Sequence, residues 1–177
     1  MHRSQQYDGF ARLLHWGVLI VLVAQYGVAW TMPDIGKDTL PVGLVAWHLL
    51  LGTAILALTV IRAVWRLSHA APVSVASPTL RFLARTGHLG LYALLFAVPV
   101  MGWINASSRG YAVTLLGVVP LPALSPVGSA LGHAFGDIHA IASYVLIGLI
   151  GVHVLGTLYH QLVLRDNTLS RMLPGRD

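Results

Sequence analysis

Four long apolar runs leave this chain little choice of fold. They extend from Leu13 to Met32, from about Pro41 to Trp65, from about His88 to Ile104, and from about Ile138 to Leu164. A bilayer core of about 30 Å asks for about 20 residues of helix, and each run is near that length. Charged residues make up only 10% of the chain and hydrophobic ones 56%, whereas a soluble domain carries about 25% charged residues. Inside hydrocarbon the backbone must satisfy its own hydrogen bonds, so runs of this kind become helices. The expectation is an all-α integral membrane four-helix bundle. It forms one domain over residues 1–177, with spans at approximately 13–32, 41–65, 88–104 and 138–164. Pro99 falls inside the third run and is expected to kink it.

The basic residues orient the bundle. With four spans, both termini and the middle loop share one side, and that side holds Arg3, Arg12, Arg62, Arg66, Arg81, Arg85, Arg165, Arg171 and Arg176. The opposite side holds Lys37 and Arg109. This asymmetry predicts that both termini face the cytoplasm. It also accounts for the net charge of +5 without a nucleic-acid partner, since no groove-binding stripe is formed. The first run is long and lacks a convincing small-residue cleavage site, so it reads as a span and not a signal peptide. Ala71–Pro78 reads as a short cytoplasmic loop. The longer outer segment from Asn105 to Gly136 predicts turns and a short interfacial helix that caps the bundle.

Histidine placement carries the chemistry. His139 and His153 lie fourteen residues apart in the fourth run. On a helix they come within about 40° of one face and sit about 21 Å apart along the axis. His15 and His48 lie near the starts of the first and second runs. Chain direction puts His15 and His153 toward the inner face and His48 and His139 toward the outer face. Each pair joins two different helices, the arrangement that bis-imidazole ligation of a b-type haem requires. With no cysteine in the chain, thiolate ligands, cysteine-bound iron–sulfur clusters and c-type haem attachment are excluded.

Neighbouring residues carry two readings each. Gly52, Gly148, Gly151 and Gly156 either admit a flat macrocycle or permit close helix packing. Arg12 and Arg62 either pair with haem propionates or are ordinary cytoplasmic anchors. His88 and His160 either contact a quinone head group or propionate, or rest at the polar interface. His133 rivals His139 as the outer ligand but stands off the helical repeat in a Gly-rich stretch. His2 and His69 read as solvated terminus and loop residues.

Several segments resemble the bacterial cytochrome b561 family of small di-haem membrane proteins. They are Leu14-His15-Trp16, His48 with the run Leu50–Leu67, Gly87-His88-Leu89, the run Leu94–Trp103, the histidines His139, His153 and His160, and the tail Asp166–Pro174. The likeness covers nearly the whole chain, and the tail is its most specific part. It implies two haem b groups ligated at His15, His48, His139 and His153, and a bacterial inner-membrane location. Similar members are superoxide oxidases, so the resemblance implies electron transfer from periplasmic superoxide to ubiquinone. Arg109 or Lys37 would then attract superoxide, or else stand as solvated loop charges; Asp34, Asp38 and Asp137 on the same side oppose an anion funnel. Two other readings stay open: an electron-relay cytochrome b subunit for a partner dehydrogenase or hydrogenase, and a non-redox four-span protein.

Overall fold

A computed structural model of the chain describes residues 6–36, 38–69, 77–166 and 168–173. Four helices, each long and apolar enough to cross a membrane, make up most of it. They are α1 (Gly9–Thr31), α2 (Leu44–Ser68), α3 (Pro78–Ser108) and α4 (Ala130–Tyr159). Side-chain caps fix three of the starts. Asp8 accepts from Ala11 N–H at 2.8 Å, Ser77 from Leu80 N–H at 3.4 Å, and Ser129 from Gly132 N–H at 3.1 Å, each satisfying an otherwise unpaired first-turn donor. Asp8 also accepts from the Trp65 indole, which ties the start of α1 to the end of α2. Pro78 takes the first helical position of α3, where its missing N–H is harmless.

Three helices start earlier than their apolar runs, α1 by four residues at Gly9 after its Asp8 cap, and α3 and α4 by more. α3 opens ten residues before His88, because Ser77 and Pro78 begin a helix whose first turns carry Arg81 and Arg85. α4 opens eight residues before Ile138, so His133 belongs to a helix and not to a Gly-rich loop. The cap, not the onset of hydrophobicity, decides all three starts. α3 continues through Pro99. Most of the loop expected over Ala71–Pro78 lies outside the described residues, as does Lys37.

Among the described residues the outer segment forms a hairpin where a short interfacial helix was expected. Strands β1 (Thr114–Leu115) and β2 (Val119–Pro120) pair antiparallel around Leu116 and Gly117, both at positive φ. Val118 N–H closes the turn on Leu115 O at 3.1 Å. The β-turn Leu115–Val118 has both central φ angles positive, which matches the strand twist, and glycine at its second central position makes it accessible; with Leu115 paired to Val119 the hairpin loop is three residues long. Leu116 N–H donates to Thr53 Oγ1, so the hairpin lies against α2.

The apolar core joins Val18, Leu22, Ile55, Leu95, Val98 and Leu146. Leu146 is midway between His139 and His153, so this layer separates the two histidine levels. α1 packs on α2, α2 on α3, and α3 on α4. By contrast, no Cα of α1 or α2 approaches one of α4 within 8 Å among the described residues. Tyr26 bridges part of that gap, donating its hydroxyl to Ser143 O at 2.6 Å.

Past Tyr159 the helix widens into a π-turn over His160–Leu164 and ends at Arg165 in the left-handed region. The tail then folds back under α1. Trp16 donates its indole N–H to Met172 O at 2.8 Å, and Arg12 donates to Leu173 O at 3.1 Å.

Candidate functional site

The histidines span the gaps that the backbones leave open. At the outer level the rings of His48 (α2) and His139 (α4) lie 5.9 Å apart, centre to centre. At the inner level those of His15 (α1) and His153 (α4) lie 6.4 Å apart. Two imidazoles on opposite sides of one metal give about 6 Å, from about 2 Å per metal–nitrogen bond and about 1 Å from nitrogen to ring centre. Both separations suit an iron between the rings.

The outer pair opens into a cavity of about 390 Å³ lined by all four helices. Its walls include Gln25, His48, Gly52, Gly102, Gly136 and His139, with Arg109, Tyr111, His133 and Asp137 toward the outer end. His139 is locked against α3, because its Nδ1 lies 2.9 Å from Val98 O. A carbonyl only accepts, so Nδ1 carries the proton and Nε2 keeps its lone pair, the state needed for ligation. Gly102 makes this possible. A Cβ there would stand 3.1 Å from two atoms of the His139 ring.

The inner pair is in a different condition. Arg62 Nη2 lies 3.1 Å from His15 Nδ1. A guanidinium only donates, so His15 here accepts at Nδ1 and holds its proton on Nε2. Ligation through Nε2 requires Arg62 to release the ring, and the carboxylates of a haem are the partners a guanidinium favours in exchange. Arg62 also lies over the Tyr92 ring. His88 joins this level, 5.4 Å from His153 between ring centres, nearer than His15 is.

The remaining expected residues are otherwise engaged. Arg12 bonds Gln6 and the tail carbonyl of Leu173. His160 Nδ1 lies 2.5 Å from Asp166 Oδ2, and Asp166 also accepts from the Thr168 hydroxyl and N–H. Partial burial pushes the Asp166 carboxyl up, but the Thr168 and His160 contacts outweigh it and hold the group below its ordinary value. His133 Nδ1 lies 3.3 Å from Ser108 Oγ, on the cavity's outer rim. Arg109 is no free loop charge. It lines the cavity, donates to Gly36 O, and keeps a buried Nε–H with no partner among the described residues.

The glycines divide. Gly52 lies on the cavity wall. Gly148 and Gly151 face open space, about 120–180° around α4 from both histidines by helical arithmetic. They neither line a ligand face nor allow close packing.

Gln25 escapes a search for histidines and arginines. Its signal is plain in retrospect: one amide alone in the apolar run Leu13–Met32, where a polar side chain is expensive. Its Nε2 lies 3.1 Å from His48 Nδ1.

A multi-pass helical bundle with facing imidazoles across its interior defines a class, the membrane cytochromes b that carry electrons. Comparison with known proteins narrows it: the sequence pattern described as prokaryotic cytochrome b561 matches residues 6–175, and the chain belongs to that family. It is similar to the Yersinia pestis protein named "Probable superoxide oxidase CybB", with 30% identity over 92% of this chain and 93% of the relative. It is also similar to "Cytochrome b561 homolog 2" of Escherichia coli strain K12, with 27% identity over 96% and 92%. "Cytochrome b562" of Cereibacter sphaeroides is 28% identical over 97% and 99%. The family implies b-type haem, electron transfer and a bacterial membrane.

Proposed function

We propose that this chain is a superoxide:ubiquinone oxidoreductase of the bacterial inner membrane, folded as one domain over residues 1–177, with both termini cytoplasmic. It holds two b-type haems, one between His48 and His139, the other between His15 and His153. The observation that carries this reading is the placement of both imidazole pairs at two depths, across gaps where α4 stands off α1 and α2. When bound, the haems supply reversible one-electron exchange.

The protein's own residues do the rest. Val98 O holds His139 in the ligating tautomer. Arg62 turns from His15 to a propionate. The core layer around Leu22, Ile55 and Leu146 keeps water from the space between the two levels. At the outer rim Arg109, whose Nε–H has no partner among the described residues, supplies positive potential for a small anion. At the inner end His88 and His160 flank the place for a quinone head, and the His160–Asp166 pair offers a proton path. Two superoxide ions each lose one electron and leave as dioxygen; ubiquinone gains two electrons and two protons as ubiquinol. The superoxide oxidase name of the Yersinia pestis relative supports this donor.

Asp137 in the cavity wall favours a second reading, an electron-relay subunit that takes electrons from a partner dehydrogenase or hydrogenase. Stopped-flow reduction of the purified holoprotein by superoxide separates the two. Fast reduction abolished by superoxide dismutase supports the oxidase; reduction indifferent to dismutase, or none, refutes it.

A further inference from the structure

The outer pair is held asymmetrically. His139 has a carbonyl on its Nδ1, whereas His48 meets only a side-chain amide among the described residues. Gln25 Nε2 stands 3.1 Å from His48 Nδ1 and 3.4 Å from His48 Nε2. In this arrangement the amide nitrogen donates to the ring, while Gln25 Oε1 is buried without a partner among the described residues. A ring that accepts at Nδ1 carries its proton on Nε2 and offers iron no lone pair there. A half-turn of the amide resolves both defects, since it exchanges an oxygen and a nitrogen of nearly equal size. Oε1 then accepts from His48 Nδ1–H, the orphaned oxygen is satisfied, and Nε2 is freed.

We propose that Gln25 is the positioning residue of His48, its Oε1 accepting the Nδ1–H of the ring and turning Nε2 toward the outer haem iron. This rests on the di-haem reading above. The amide packs beside Gly52, one turn beyond His48 on α2, where a Cβ would make ordinary van der Waals contact with Gln25 Nε2 at 3.8 Å. Gln25 thus does for His48 what the Val98 carbonyl does for His139. An imidazole whose second nitrogen donates to an acceptor is the more basic ligand, and it favours ferric over ferrous iron.

The test is an optical redox titration of the purified holoprotein, with haem counted per chain. The outer potential is assigned as the one that disappears in His139→Ala. Gln25→Met, of similar volume but without an acceptor, should shift the outer potential upward and leave the inner one in place. Gln25→Glu, a stronger acceptor, should shift it downward and retain the haem even if Gln25→Met loses it. An outer potential unchanged in Gln25→Glu overturns the proposal whatever Gln25→Met does, and so does an unchanged or lowered one in Gln25→Met. A wild-type protein with fewer than two haems refutes the di-haem reading instead, so the two failures are told apart.

Discussion

Replacing Gly102 with valine should strip the outer haem and spare the inner one. A Cβ at this position stands 3.1 Å from Cε1 and Nδ1 of His139, whereas comfortable contact begins at about 3.5 Å. The ring must retreat by about 0.4 Å before the valine methyls are counted. Its bond to Val98 O, now 2.9 Å, then stretches past the useful limit of about 3.2 Å. That removes the acceptor that orients a metal-binding imidazole, and such losses lower metal affinity about 10- to 100-fold. The equivalent free energy is about 1.4–2.7 kcal/mol. Gly102→Ala should fall at or below the lower end, and it separates site from scaffold, because alanine favours a helix over glycine by about 1 kcal/mol. The assay is haem per chain with a redox titration, beside Gly148→Val, whose Cβ meets nothing within 4 Å. Two haems with wild-type potentials in Gly102→Val would refute the reasoning, as would equal losses in Gly102→Val and Gly148→Val.

Three further outcomes are expected. His15→Ala and His153→Ala should each remove the inner haem alone, read as loss of one potential; if His88→Ala does so while His15→Ala does not, the partner of His153 is His88. Asp166 is held below its ordinary value of 3.8, so its contribution to tail docking is complete above that pH and lost as pH falls through the lowered value. Protease cleavage of the tail should therefore rise only in strong acid, and Asp166→Asn should make it rapid at all pH values. Gly132→Ala places a Cβ 2.5 Å from Ser108 Cβ and Ser125 Oγ, a clash with two short serine side chains that should cost about 1–3 kcal/mol, measured as a lowered midpoint of thermal unfolding; an unchanged midpoint counts against that packing.

The four spans are legible because hydrocarbon imposes a length and a composition, and the depth of each histidine follows from span direction alone. Helix starts are less legible. Ser77 and Ser129 cap α3 and α4 eight or more residues ahead of the apolar runs, and a cap is one polar atom, not a hydropathy trend. The outer hairpin is hidden for a similar reason: its turn depends on Leu116 accepting a positive φ, which no propensity favours. The partners of the candidate ligands are hidden most of all. Val98 O reaches His139 only because Gly102 lets α4 come close to α3, and backbone carbonyls leave no mark in a sequence. Arg62 was readable as a cation at the inner level, but its bond to His15 arises from the fold. Gln25 stood in plain view as a lone amide, yet its meaning depends on α1 and α2 being neighbours.

The account stands on two iron atoms, each gripped by two imidazoles. Pyridine haemochrome quantitation of the purified protein, expressed with ample haem supply, tests this most directly. Two b-type haems per chain are expected; one or none would contradict the account.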